Sequence, residues 1–377
     1  MKVWHEELPY NFSDPITDRI FTENAIFFDI ETTGFSPAKT SVYLIGCASR
    51  KGNRLVIDQF FAETPGQEAN ILTAFFSYMA DYDTLITFNG VGFDIPYLKG
   101  RCLHYHLPDP FSCFTCLDIF KVVSQLKFLL KLPNYKQKSI ERFLDIERED
   151  TYNGGELIDV YKSYVLSPSK EAETLLKLHN YEDVLDMPRL LPIMAYPELF
   201  HGRFSVCSIE GNEYTSFDGS TGHKELLLTL QNDFPVPKRV SCSQDDFYLT
   251  ANGNTTMLRI RLFEGELKYF FQDYKNYYYL PEEDTAIPKN VASAVDKEYR
   301  KKATAATCYS RKYAIFLPQY EEIITPVFRE KPKGRKSYFE LTAAFAESES
   351  LQRQYVKHIL YCFSKKKDLL RSNPSSL

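Results

Sequence analysis

The stretch Ala25-Ile26-Phe27-Phe28-Asp29-Ile30-Glu31-Thr32-Thr33-Gly34 constrains this chain more than any other. An apolar run of this kind reads as a buried strand, and it ends in two carboxylates two residues apart. In a β-strand, residues i and i+2 point to the same face. Asp29 and Glu31 therefore aim into one site, while Ile30 packs on the opposite side. Carboxylates held that close repel each other, and a hard divalent cation taking oxygen ligands is the usual relief. A polar strand end running into a Thr-Thr-Gly turn is the plainer alternative.

Two further segments bear on that choice. The run Asp83-Thr84-Leu85-Ile86-Thr87-Phe88 reads as a second buried strand and opens into Asn89-Gly90-Val91-Gly92-Phe93-Asp94. Asn89-Gly90 marks a turn, and Asp94 stands at the start of a helix carrying Tyr97, Leu98 and Leu103. A helix cap is the ordinary employment for such an Asp. Far downstream, Glu171 to Leu191 is strongly helical, and His179 and Asp183 fall one turn apart on one face.

Taken together, Asp29-x-Glu31, Asn89 to Asp94 and His179-x-x-x-Asp183 resemble the three motifs of the DEDD-type 3′–5′ exonucleases of the ribonuclease H-like superfamily. Within it the chain is most similar to the bacterial YprB-like predicted exonucleases. Leu132-Pro133-Asn134-Tyr135-Lys136 and Gly154-Gly155-Glu156-Leu157-Ile158 share that group's pattern, and the resemblance covers roughly residues 22–200. One departure stands out. The third motif usually has Tyr four residues before the last Asp, or His five before it. Here the Tyr spacing carries His179, and one helical position turns a side chain by about 100°. His179 thus takes the place of the water-orienting phenol.

The resemblance implies a metal-dependent exonuclease removing nucleotides from the 3′ end of DNA or RNA, with a single-stranded 3′ end as substrate. Asp29, Glu31, Asp94 and Asp183 would hold two divalent ions, Mg²⁺ or Mn²⁺, about 4 Å apart, and His179 would orient or deprotonate the attacking water. A carboxylate ligand set selects hard metals over zinc. Thr33 and Gly34 would let backbone approach the terminal nucleotide. Phe35 and Phe93 would stack against a base or pack beside the site. Asn89 would contact substrate or brace Asp94, and Asp118 is an extra acidic residue of structural use. A nuclease-like fold that holds nucleic acid without cutting is the rival, disfavoured because all four carboxylates are present.

Composition suits a globular protein of two domains. No apolar stretch approaches the about 18 residues of a membrane span, and eight scattered cysteines point to a reducing, cytoplasmic home rather than a disulfide framework. Cys113-x-x-Cys116 with Cys102, His104 and His106 offers zinc one pair and neighbouring ligands, but there is no second Cys-x-x-Cys, and packing accounts for them better. Charge is unevenly spread. Residues 301–377 hold 15 Lys or Arg against 7 Asp or Glu, a balance of +8 that leaves −13 for residues 1–300 of the net −5. Lys331-Pro332-Lys333-Gly334-Arg335-Lys336 and Lys365-Lys366-Lys367 are either phosphate-gripping runs or solvated loops.

The expected fold class is α/β. Residues 1–200 would form a ribonuclease H-like mixed β-sheet flanked by helices. Strands are expected at Val42–Ala48, Leu55–Phe61, Asp83–Phe88 and up to Asp118, with helices over Glu68–Met79, Asp94–His106, Ser139–Leu144 and Gly155–Val165. Residues 201–377 read as a second, mostly antiparallel α+β domain. It contains a hairpin turning at Glu264-Gly265-Glu266 and helices near Val291–Lys301 and Phe339–Ser364.

Overall fold

The computed structural model describes residues 1–149, 154–215 and 221–364. The chain separates into two compact units, one comprising Met1–Pro197 and a second beginning at Glu198.

The first unit is built on a six-stranded sheet. Its elements, in chain order, are β1 (Lys2–Pro9), α1 (Pro15–Ile20), β2 (Ala25–Thr32), β3 (Val42–Lys51), β4 (Arg54–Phe61), α2 (Glu68–Met79), β5 (Thr84–Thr87), α3 (Asp94–Tyr105), β6 (Thr115–Asp118), α4 (Ile119–Gln125), α5 (Lys127–Leu130), α6 (Gln137–Phe143), α7 (Gly154–Leu166) and α8 (Lys170–Leu190). The strand order is β1-β4-β3-β2-β5-β6. β2 pairs antiparallel with β3 and parallel with β5, and β5 runs parallel to β6, so the sheet is mixed. The near-continuous apolar runs of β2 and β3 reflect burial on both faces. On one face Ile26, Phe28, Ile30, Ile45 and Cys47 pack with Phe75 of α2 and Leu98 of α3. On the other, Tyr43, Leu44 and Phe61 pack with Leu157 and Tyr161 of α7 and Leu176 of α8. The Tyr43 and Tyr161 rings stack with centroids 4.1 Å apart and planes 11° from parallel. β1 is an addition to the sequence expectation. Its inward-facing residues are Lys2, Trp4, Glu6 and Leu8, too polar an alternation to signal a strand, yet it pairs residue for residue with β4.

A buried ion pair fastens the helices to the loop after β2. Arg101 of α3 donates from Nε and Nη2 to both carboxylate oxygens of Glu68 at 2.7 and 2.6 Å. Glu68 also accepts from the Val42 amide at 2.8 Å and the Tyr105 hydroxyl at 2.9 Å. The Arg101 Nη1 reaches the Pro37 carbonyl at 2.6 Å.

After α9 (Ala195–Phe200), the second unit is mostly antiparallel, with β7 (Phe204–Tyr214), β8 (His223–Gln244), β9 (Phe247–Arg261), β10 (Phe263–Phe270), β11 (Tyr277–Leu280), β12 (Thr285–Pro288), β13 (Lys301–Lys302), β14 (Tyr309–Gln319), β15 (Ser337–Glu340), α10 (Ala343–Glu347) and α11 (Glu349–Ser364). They form three sheets of three strands, β7-β8-β9, β10-β14-β15 and β12-β11-β13.

Three local expectations are corrected here. Glu264-Gly265-Glu266 is no hairpin turn but lies in the first half of β10, which pairs with β14 rather than β9. Gly265 is there for close approach, since a Cβ on it would lie 3.2 Å from the Phe263 ring. The helix expected at Val291–Lys301 is two separate 3₁₀ turns, Val291–Ala294 and Lys297–Tyr299, broken by extended Val295. The segment expected to be helical from Phe339 begins as β15, where Tyr338 and Phe339 pair across to Pro318 and Leu317. The helix starts only after Thr342, whose hydroxyl caps the Phe345 amide. Of the basic runs, Lys336 pairs with Asp246 at 2.5 Å, and Lys365-Lys366-Lys367 lies outside the described residues.

Candidate active site

The strand alternation of β2 places Phe28 and Ile30 in the core cluster shared with α2 and α3 and turns Asp29 and Glu31 toward α8. α8 lies across β2 and β3 and contributes His179 and Asp183. The His179 Nε2 sits 3.4 Å from Glu31 Oε1 and 3.4 Å from Asp183 Oδ2. One ligand atom each from Glu31, His179 and Asp183 can be chosen so that all lie within 4.8 Å of one another, and no cysteine takes part. Asp94, buried at the head of α3, accepts the Ile30 amide proton at 3.2 Å and so stands against β2 from the other motif.

Electrostatics tie the four carboxylates together. Burial raises the Asp29 carboxyl well above its ordinary range, and the charges of Asp183, Asp94 and Glu31 push it the same way. Burial likewise raises Asp94 to about 7, against the pull of the backbone amides it accepts from, with Asp118 and Asp183 adding repulsion. Without a cation this is a site charged against its own stability. An oxygen-rich donor set with one imidazole suits hard divalent ions, so the residues fit the kind of ion that the resemblance implies.

Asp118 caps α4 and accepts the amides of Asn89 (2.9 Å) and Val91 (3.1 Å), which fixes the turn before Asp94. Asn89 occupies the left-handed region, φ 67°, where Asn is tolerated, and its carbonyl accepts from Gly92 and Phe93. Thr33 closes the loop after β2 by exchanging hydrogen bonds with Ser41, its amide donating to the Ser41 carbonyl at 2.9 Å and its hydroxyl accepting from the Ser41 amide at 2.9 Å. Gly34 lies where a Cβ would meet the Thr40 methyl at 2.8 Å. Phe35 is 85% exposed, and its ring meets that of Phe93 edge-on at 6.2 Å.

Several neighbours escape a reading of motifs. Asn180 donates to Asp29 Oδ2 at 3.2 Å, and its own Oδ1 accepts from Gln59 of β4 at 2.9 Å. The second Gln59 hydrogen bond goes to the Lys177 carbonyl. α8 approaches so closely at this point that a Cβ on Gly46 would fall 2.1 Å from the Asn180 Oδ1. The signals were a glycine in the middle of an apolar strand and an Asn on the apolar stripe of α8, one turn from Leu176 and Val184. Arg148 is the other. Its Nη1 lies 2.7 Å from Asp183 Oδ1 and 3.1 Å from Glu141, with Nε 3.6 Å from Glu182. Gln137 donates to both Glu141 (2.9 Å) and the Asp183 carbonyl (3.0 Å). Asp183 is therefore held at one oxygen by a guanidinium while the other faces His179.

With this geometry established, comparison with known proteins is direct. Residues 26–195 match the model of the RNase_H_2 family of the RNase H superfamily. That segment is therefore similar to the RNase H superfamily. A relative is YprB of Bacillus subtilis (strain 168), itself uncharacterised, 37% identical over 79 residues. The match takes in 21% of this chain and 19% of YprB, so the chain spans about a fifth of that relative's length. Among solved structures, a family B DNA polymerase from the archaeon Pyrobaculum calidifontis aligns over 46% of this chain and 25% of its own, at 18% identity and a TM-score of 0.36. Exonuclease I aligns over 55% of both chains, at 14% identity and a TM-score of 0.29. The matched segment contains all five of Asp29, Glu31, Asp94, His179 and Asp183. Among the described residues no helix is long and apolar enough to cross a membrane, and all eight cysteines are free thiols.

Proposed function

We propose that this protein is a divalent-metal-dependent 3′–5′ exonuclease that hydrolyses phosphodiester bonds of DNA or RNA in the cytoplasm, and that the activity resides in residues 1–200. The observation that carries the reading is the convergence of Asp29, Glu31, Asp94 and Asp183, with His179, from three separate elements onto one patch at the end of β2.

Asp29, Glu31, Asp94 and Asp183 would hold two ions, Mg²⁺ or Mn²⁺, and His179 shares one group of possible ligand atoms with Glu31 and Asp183. When bound, such ions neutralise phosphodiester charge and activate water. The remaining work falls to the chain. His179, whose Nε2 lies 3.4 Å from both Glu31 and Asp183, would orient or deprotonate the attacking water. Asn180 fixes the Asp29 carboxylate from the side, and the Ile30 amide fixes Asp94. Thr33 and Gly34 bring backbone to the terminal nucleotide, Asn89 contacts it from the facing turn, and the exposed Phe35 with Phe93 stacks on its base.

An oligonucleotide with a phosphorothioate at its last 3′ linkage tests both activity and polarity. Degradation should stall with that substrate and proceed when the modification is moved to the 5′ end. Equal degradation of the two, or of neither, contradicts the proposed direction.

A further inference from the structure

Between Asp118 and Glu141 the chain carries Lys121, Lys127, Lys131, Lys136 and Lys138 and no acidic residue. In a chain of net charge −5 that run is the reverse of the average. The helices α4 to α6 and their connections fold it into a surface groove lined by Phe120, Lys127, Lys131, Asn134, Tyr135 and Lys136. The three lysines of the lining are exposed. Lys127 Nζ lies 5.3 Å from the centre of the Tyr135 ring, a cation and an aromatic face already side by side. The groove is also a shaped object. Lys131 holds a φ of 52°, the Leu132 amide donates to the Tyr135 hydroxyl at 3.2 Å, and Asn134 Oδ1 accepts from the Lys136 amide at 3.2 Å and the Ser139 hydroxyl at 2.6 Å.

Both rims of this groove are tied to the candidate active site. At one, the Phe120 ring lies 6.0 Å from Phe88, the residue before Asn89, and Asp118 at the head of α4 holds the Asn89 and Val91 amides. At the other, Gln137 at the head of α6 donates to the Asp183 carbonyl. The groove thus adjoins the elements that carry Asn89 and Asp183.

We propose that this groove is a single-stranded nucleic-acid track, with Lys127, Lys131 and Lys136 on backbone phosphates and Tyr135 against a base. The inference rests on the nuclease reading for its direction, since it places here the strand whose 3′ end enters the site. Non-specific single-strand sites combine a basic groove with aromatic faces in this way, and an acidic peptide would have no use for the ring.

The test is fluorescence anisotropy of full-length protein with 5′-fluorescein-labelled oligo(dT) in EDTA, titrated with salt. Each phosphate contact contributes about 0.7 to the slope of log K against log salt for single strands. The K127Q/K131Q/K136Q protein should show a slope shallower by about 2, by the same rule. Arginine at all three positions should restore it, which separates lost charge from a damaged fold. Tyr135→Ala should weaken binding and leave the slope unchanged. A triple-glutamine variant with the parental slope, a parent that does not bind the oligonucleotide, or polyglutamate binding as well as oligo(dT), overturns the assignment. Because no cutting is read, the two claims fail separately. Binding through the lysines without cleavage in Mn²⁺ sinks the nuclease reading alone. Cleavage in Mn²⁺ with KM unmoved by the triple variant sinks the groove alone.

Discussion

At the scale of single residues, Asp94 joins two of the motifs, because its carboxylate is buried against the backbone of the strand that carries Asp29 and Glu31. Its raised pKa, about 7, and the raised pKa of Asp29 have a thermodynamic consequence. Both groups bind protons more tightly folded than unfolded, so the folded protein carries extra protons between about pH 4 and 7. Stability of the metal-free protein should therefore fall as pH rises through that window. Saturating Mn²⁺ should restore it at pH 7 and above, by about 2.7 kcal/mol at a hundred times Kd. Thermal melts in EDTA and in Mn²⁺ from pH 5 to 8 read this directly, and a metal-free melting temperature that climbs with pH would refute it. Arg148 makes a second case. Its side chain is 6% exposed, and its guanidinium serves Asp183, Glu141 and Glu182 at once. Arg148→Met should cost about 3–5 kcal/mol, since breaking a buried pair strands the remaining charge, and urea denaturation would measure it.

At the scale of elements, the period-2 alternation of β2 and the i, i+4 spacing on α8 were readable directly in the sequence, which is why Asp29, Glu31, His179 and Asp183 could be singled out as candidates. Asn180 and Arg148 were not, because their partners lie far along the chain, Asp29 being 151 residues from Asn180. Such contacts exist only once α8 is docked. β1 hid for a different reason: an edge strand with polar inner positions carries little periodic signal. The aromatic second unit misled at Gly265, since a strand glycine and a turn glycine look alike until a ring is seen lying against one of them. The docking of α8 yields its own prediction. Gly46→Ala puts a methyl into the Asn180 amide and must displace that side chain from Asp29 and Gln59, and α8 with it where the amide cannot turn aside. A loss of about 1–3 kcal/mol is expected from the overpacking. The larger effect should be on metal binding, because Asp183 and His179 move with the helix. A Gly46→Ala protein with unchanged Mn²⁺ affinity by calorimetry would show that the helix position does not set the site.

At the scale of the whole molecule, each unit has its own sheet and core, and every residue proposed to act lies in the first. The fragment comprising residues 1–200 should therefore fold cooperatively and keep the Mn²⁺-dependent rise in melting temperature. A fragment that shows no cooperative near-ultraviolet circular dichroism transition would make the second unit part of the catalytic structure. The RNase H superfamily match also ends near this boundary, at residue 195. The central claim, that the carboxylate cluster cuts a strand from its 3′ end, meets its most direct test in one gel. Single-stranded DNA and RNA labelled at the 5′ end are incubated with the protein in Mn²⁺, Mg²⁺ or EDTA, beside the Asp94→Ala variant. The account predicts a metal-dependent ladder shortening from the 3′ end that Asp94→Ala does not produce. Full-length label under every metal, with the oligonucleotide still bound in a mobility shift, would contradict it and leave a nuclease-like fold that holds nucleic acid without cutting.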